Sequence, residues 1–406
     1  MNSLSSKSTS VSAEQWNRLG CTLLFAAIGC GSACGTGNTP RSPFGASRAD
    51  SGVPTGNAID AAVRDAGYSG MLKTGLKVRG NRIVDASGQN VFLHGVGRQG
   101  TEYMCSKYSG IFDGPNDQNS IDAMRDWNIN SVRVFLNEDC WLALNGVAIA
   151  YAGTVYIEAI KNFVALLEHN GITPILDLQL AAPGNTTANY PQLPMADRDH
   201  SPAFWTSVAQ TFGQDTSVIF DLYNEPYPDS DQDTTAAWAC WRDGGTCPGV
   251  NYMAAGMQEL VDAVRSVGAQ NLVLAAGIRY GNVLTHWREY MPSDPLGNLA
   301  IGWHIYNVNL CRDLACWNSN IAPLMQDFPL VATEMGEFDC GDSFVSQAMD
   351  FLESHGAGYS ANAWNAGSGW PCGSDDAKSG PALITDFAGT PTPYGQGYRD
   401  HLLNLK

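Results

Sequence analysis

Two glutamates close apolar runs in this sequence. Glu225 ends VIFDLYNEP, residues 218–226, and Glu334 lies in FPLVATEMGEF, residues 328–338. An apolar run that finishes in a long acid suits a buried parallel strand leading to the mouth of a barrel. Two such acids flanking one bond can divide the work of glycoside hydrolysis. One donates a proton, and the other attacks the anomeric carbon or activates water. A gap of about 5 to 5.5 Å between them belongs to the retaining, double-displacement route. Taken singly, each strand-terminal glutamate also fits a solvated or ion-paired residue; the pair carries the argument. Asn224, beside Glu225, can hydrogen-bond a sugar hydroxyl, and Pro226 turns the chain away from the strand. Glu337 follows Glu334 by three residues, beyond the strand, and reads as a supporting residue. This chemistry requires no metal and no organic cofactor. There is no CxxC pair, and histidines near the cysteines are too sparse for a zinc site.

These acids need a scaffold. After residue 90, short apolar segments alternate with amphipathic ones. Strands are expected at 91–96, 131–136, 174–179, 217–223, 271–276, 300–306, 329–334 and 359–364, and helices at 117–128, 155–170, 202–213, 251–267, 283–290, 319–326 and 343–354. Eight strand–helix units predict an α/β fold, a (β/α)8 barrel, whose active site lies at the C-terminal strand ends. The stretch LKVRGNRIVDASGQNVFLHG, over 75–95, predicts a short N-terminal β-hairpin with its turn at Asp85–Gly88. His304 and Tyr306 share one strand face by the period of two. The largest insertion, 226–250, follows the fourth strand.

The N-terminal 70 residues differ in kind. Lys7 and Arg18 precede an apolar run, Leu23–Ile28, too short to span a bilayer, and cysteines follow at Cys30 and Cys34. Residues 1–34 therefore read as an export signal of lipoprotein type, and 35–71, rich in Gly, Ser, Ala, Thr, Pro and Asp, as a linker to a catalytic domain over 72–406. The expected location is outside a bacterial cell, secreted or lipid-anchored, with no transmembrane segment. Eight cysteines fall in the folded part, an even number that suits an oxidising compartment and up to four disulfides. Cys240 with Cys247 and Cys311 with Cys316 would close small loops. Spacing does not fix connectivity; Cys105 with Cys140 and Cys340 with Cys372 are the remaining pairs considered. Lys and Arg number 23 against 40 Asp and Glu, a formal net charge of -17. That charge repels nucleic acid and is compatible with a neutral polysaccharide partner. Nothing in the sequence requires more than a monomer.

The motifs together resemble glycoside hydrolase family 5, and within it the secreted bacterial cellulases. They are HGVG (94–97), SVRVFLNEDCW (131–141), LYNEPYP (222–228), WHIYN (303–307), VATEMGE (331–337) and the YGQGYRDHL ending. The resemblance implies a (β/α)8 catalytic domain acting on β-1,4-linked glucan, with Glu225 as acid/base and Glu334 as nucleophile. It further implies that Arg133 holds the nucleophile ionised, that Asn224 contacts the sugar 2-hydroxyl, and that His304 and Tyr306 stand beside the acid/base and the nucleophile. Trp364 would floor the subsite of the sugar under attack. His94, Gln179, Glu337 and Trp370 complete the expected substrate-binding set; Trp370, like Trp141, suits either the outer cleft or the core. One position departs from the pattern. The third strand ends in Asp177-Leu178-Gln179-Leu180 where the family has Asp-Leu-His-Trp or close to it. Gln179 keeps hydrogen bonding without charge, and Leu180 offers no stacking face. That departure leaves β-mannan, xylan and branched β-glucan open as substrates, transglycosylation as a reaction, and glycan binding without turnover as a role.

Overall fold

The structure, a computed structural model, describes residues 71–184, 187–188, 191–366, 372 and 380–405. The export and linker readings over residues 1–70, and Trp370, lie outside the described residues.

The chain enters through a hairpin, β1 (Lys77–Arg79) and β2 (Arg82–Val84), and then lays down β3 (His94–Arg98), β4 (Ser131–Asn137), β5 (Thr173–Leu180) and β6 (Ile219–Asp221). A two-stranded ribbon follows, β7 (Gly245–Thr246) with β8 (Met253–Ala254), and then β9 (Val273–Ala276), β10 (Leu299–Tyr306), β11 (Leu330–Gly336) and β12 (Gly358–Ala361). Eight of these close into one barrel in the order β10-β11-β12-β3-β4-β5-β6-β9. Every pairing around it is parallel. The expected (β/α)8 barrel is therefore the fold. Its strands read as continuous apolar runs because both faces are covered; each residue of β4, β10 and β11 is buried.

The barrel has two apolar compartments. Leu76, Ile83, Leu93, Ile175, Ile219, Leu272, Leu274, Ala300 and Val331 fill its lower interior, so the entering hairpin plugs the N-terminal end. A larger core lies between strands and helices, and nine tryptophans are almost wholly buried. Hydrogen bonds fix the plug: Val78 N donates to Asn298 Oδ1 at 2.8 Å, and Leu76 N to the Thr216 backbone carbonyl at 3.1 Å.

Several expected boundaries move. The hairpin turns at Gly80-Asn81, where Gly80 takes a left-handed φ of 59°. The turn expected at Asp85–Gly88 also forms, with Gly88 N on Asp85 O, and leads to a bridge between Val84 and Asn90. The first barrel strand starts at His94 instead of 91, because Val91 N is taken by Ile83 O of the hairpin. The insertion after β6 folds into a helix, Thr235–Asp243, and the β7–β8 ribbon. A closing helix, Pro393–Asn404, falls on the YGQGYRDHL segment.

All four cysteine pairs considered are bonded: Cys105–Cys140, Cys240–Cys247, Cys311–Cys316 and Cys340–Cys372. Among the described residues no helix is long and apolar enough to cross a membrane.

Candidate active site

At the C-terminal ends of the strands the buried polar residues converge. Arg133, in the middle of β4, is wholly buried and serves as the hub. Its Nη1 donates to Glu334 Oε1 at 2.7 Å, its Nε to Asp221 Oδ2 at 2.9 Å, and its Nη2 to Asn224 Oδ1 at 3.0 Å. Asp177 Oδ1 stands 3.0 Å from Nη2 as an ion pair. Four elements thus deliver one cation and three carboxylates to a buried volume, where interactions are strong and unpaired charge is costly.

The electrostatics single out one acid. Burial raises Asp177 well above the usual carboxylate value, against the pull of Arg133, and raises Asp221 as well. Burial pushes Glu334 in the same direction, but His304, Arg133 and the Tyr306 hydroxyl outweigh it, and Glu334 titrates below an ordinary glutamate. The arginine charge is therefore matched chiefly by Glu334. Tyr306 donates its hydroxyl to Glu334 Oε2 at 2.6 Å. Burial and the Glu334 charge raise the Tyr306 phenol well above its ordinary value, so it keeps the proton it donates.

Glu225 reaches the same space from beyond β6. Its Oε1 lies 2.9 Å from His304 Nδ1, and the other ring nitrogen of His304 lies 3.1 Å from Thr333 Oγ1. The ring is fully buried, and Gly281 makes that packing feasible: a Cβ there would come within 2.9 Å of it, and the glycine φ is 72°. Donor atoms of Glu225, His304 and Glu334 all fall within 4.8 Å of one another, so the two carboxylates face each other across a narrow gap. Each carboxylate is already engaged by N–H or O–H donors, an arrangement suited to holding two acids apart for proton transfer and attack.

Glu225, Glu334, Arg133, Asn224, His304 and Tyr306 are thus brought together. Gln179 is two residues beyond Asp177 along β5, and its amide oxygen is buried without a hydrogen-bond partner. Three expected residues are placed elsewhere. His94 starts β3, so it lies at the opposite end of the barrel from the mouth, with its ring 4.9 Å from Tyr359. Glu337 turns to the helix Ser343–Ser354, where its carboxylate accepts from Phe344 N and Val345 N at 3.0 and 3.2 Å. Trp364 is fully buried, edge-to-face on Trp127 with centroids 4.9 Å apart, and has no face to offer a sugar.

The residue beyond β12 that does face the pair is Asn362. Its Nδ2 donates to Tyr306 Oη at 2.9 Å and approaches Glu334 Oε2 at 3.4 Å. Gly97 makes room for it, since a Cβ there would sit 2.7 Å from Asn362 Oδ1. The period of two counted past the strand end could have pointed to Asn362. Gln192, on the segment after β5, is the other residue missed: its Nε2 donates to Glu225 Oε2 at 2.6 Å. No motif or periodicity marks it.

A second cluster with metal-ligand chemistry, Glu138, Asp197 and His200, also has donor atoms within 4.8 Å of one another. Ser201 Oγ donates to Glu138 Oε2 at 2.7 Å, and burial followed by the Asp197 charge raises Glu138 well above the usual carboxylate value.

Similar proteins agree with the fold. A protein-family model described as Cellulase (glycosyl hydrolase family 5) matches residues 84–368. Endoglucanase MaCel5A of Microbulbifer sp. (strain ALW1) is 27% identical over 152 residues, 37% of this chain and 26% of its own length. The chain thus spans about a quarter of the length of that curated relative. Among solved structures, β-glucanase SdGluc5_26A from Saccharophagus degradans, in complex with cellotetraose, superposes with a TM-score of 0.61 at 18% identity over 84% of this chain and 98% of its own. A β-mannanase from Thermomonospora fusca gives 0.57 at 18% identity over 80% and 93%. At that identity these two likenesses speak for the fold alone.

Proposed function

The chain belongs to the cellulase family, glycosyl hydrolase family 5, and from that premise we propose that it is a retaining, endo-acting hydrolase of β-1,4-linked glucan. In this reading Glu334 is the nucleophile and Glu225 the acid/base. The observation that carries it is the short gap between the two carboxylates, whose oxygens come within 4.8 Å of each other. Inverting enzymes need about 6.5–9.5 Å to seat a water between the acids.

Glu334 attacks the anomeric carbon as the bond to the leaving oxygen breaks, and Glu225 gives that oxygen its proton. A glycosyl ester on Glu334 results. Water then attacks the same carbon, Glu225 takes a proton from it, and the ester bond breaks to return the Glu334 carboxylate. Arg133 and Tyr306 keep Glu334 charged before attack and stabilise it as the leaving group of the second step. His304 holds Glu225 in line. Asn224, fixed by Arg133, is oriented toward the sugar 2-hydroxyl. The endoglucanase name of the curated relative supports glucan as substrate. β-Mannan is the second reading, favoured by Asn362 and Gln179, two amides where a stacking aromatic and an imidazole were expected. The four disulfides favour a location outside the cytoplasm, secreted or anchored.

The test is a product profile of the full chain under oxidising conditions on soluble cellulose, glucomannan, mannan, xylan and xyloglucan, beside Glu334→Gln. Short oligosaccharides from the parent, absent with the variant, are expected, and proton NMR should show the product anomer first formed with the configuration of the substrate. Initial release of the opposite anomer, or undiminished turnover by Glu334→Gln, would sink the reading. The best-cleaved polymer identifies the specificity.

A further inference from the structure

The two oxygens of Glu225 are met by nitrogens of different character. Oε1 lies against His304, a fully buried ring engaged at both nitrogens. Oε2 accepts from Gln192 Nε2 at 2.6 Å, a short contact for a neutral amide on a carboxylate. The same amide nitrogen also approaches the Glu225 carbonyl oxygen at 3.5 Å. Gln192 is only half-buried and comes from a loop, yet the backbone from Gln192 to Pro194 is fastened. Tyr227 donates its hydroxyl to Gln192 O at 2.9 Å, Tyr223 donates to Leu193 O at 2.8 Å, and Tyr227 N bonds Pro194 O at 2.9 Å. The segment that carries Glu225 thereby holds the loop that carries Gln192, and the amide is delivered to one oxygen of one acid.

An amide N–H bonds the oxygen of a carboxylate more strongly than that of a protonated carboxyl, which keeps acceptor capacity but no charge. We propose that Gln192 is a positioning residue for the acid/base, favouring the carboxylate that Glu225 becomes when it gives its proton to the leaving oxygen. The assignment rests on Glu225 as acid/base. The contact strengthens as negative charge develops on Oε2, so it lowers the barrier most for substrates whose leaving oxygen needs a full proton. The donor meets the ionised form, so a pH–rate profile can report its removal.

The experiment compares full-length wild type, Gln192→Ala and Gln192→Glu. With an oligosaccharide substrate, the alkaline limb of kcat/KM should move up by about one pH unit in Gln192→Ala, and further in Gln192→Glu, which replaces the donor by a second carboxylate. The acid limb should stay in place. At the optimum, kcat on the oligosaccharide should fall about tenfold with KM little changed. An aryl glycoside of the same sugar with a good leaving group should lose much less. Carbonyl-13C NMR reads the same effect without turnover: the Glu225 carboxyl resonance, assigned by its loss in Glu225→Gln, should titrate at higher pH in Gln192→Ala. A uniform loss on both substrates with unmoved limbs, or an unmoved NMR titration, overturns the proposal. Failure of the underlying reading looks different: Glu225→Gln would keep full activity on the oligosaccharide.

Discussion

Replacing Arg133 by Met keeps much of the side-chain volume and removes the guanidinium that is ion-paired with Asp177, Asp221 and Glu334. Its three ion pairs run from 2.7 to 3.0 Å in a site with no solvent exposure for the guanidinium. Removing one partner of a buried pair costs about 3–5 kcal/mol. Three pairs do not triple that figure here. Burial already raises Asp177 and Asp221, so both can shed charge by taking up protons. The loss falls on Glu334, whose charged hydrogen bond to Arg133 is worth about 1.5–3 kcal/mol, or about one to two pH units. The sign follows from Glu334 titrating low in the folded chain. A depressed carboxyl stabilises the fold above its unfolded value near 4.5 and loses that contribution as pH falls through the folded value. The stability gap between parent and variant should thus be widest near pH 7 and shrink below about pH 4. Urea unfolding across that range measures it, and the acid limb of kcat/KM should climb by about one to two units. A variant within about 1 kcal/mol of the parent at pH 7, or an unmoved acid limb, would refute the hub role.

Glu138 gives the opposite slope. Burial and the Asp197 charge make its carboxyl hold a proton more tightly when folded, so stability declines as pH rises above the unfolded carboxylate range; Glu138→Gln should raise the melting temperature at pH 7 and give no gain at pH 4. Trp364→Phe should cost about 1–3 kcal/mol in unfolding experiments through lost packing on Trp127, with KM for oligosaccharides little changed, whereas a subsite floor would show its largest effect in KM. Removing the Cys105–Cys140 bridge by a double Ser substitution opens a crosslink between residues 35 apart and should lower unfolding stability by about 4 kcal/mol on the chain-entropy account.

How far the sequence could be read depended on burial. β4, β10 and β11 lie within one or two residues of expectation because strands covered on both faces must be apolar throughout. Glu225 and Glu334 stood out because a charge at the end of such a run has few roles. Arg133, His304 and Tyr306 followed from the motifs that resemble glycoside hydrolase family 5. Legibility stopped where position depends on distant chain. Gln192 sits on a loop whose place is set by Tyr223 and Tyr227, and no local pattern encodes that. Asn362 and Trp364 are two residues apart, and only the packing of Trp127 and the space left by Gly97 decide which one faces Glu334. His94 lies in a strand expected at 91–96, but the strand begins at His94, which puts it at the far end from the chemistry.

The closing helix carries a consequence for how the molecule comes into being. β12 pairs with β3, so the barrel is sealed between the last strand and the first. Across that seam Tyr398 donates its hydroxyl to Gly95 O, a bond between residues 303 apart in sequence. Tyr394 reaches Met335 O and Asn362 O from the same helix. A growing chain that has emerged only as far as β11 must therefore present open strand edges, the surfaces most prone to pairing with other chains. Closure waits for β12 and the helix behind it, and a chain halted before Tyr398 lacks this bond across the seam, however complete its set of acids.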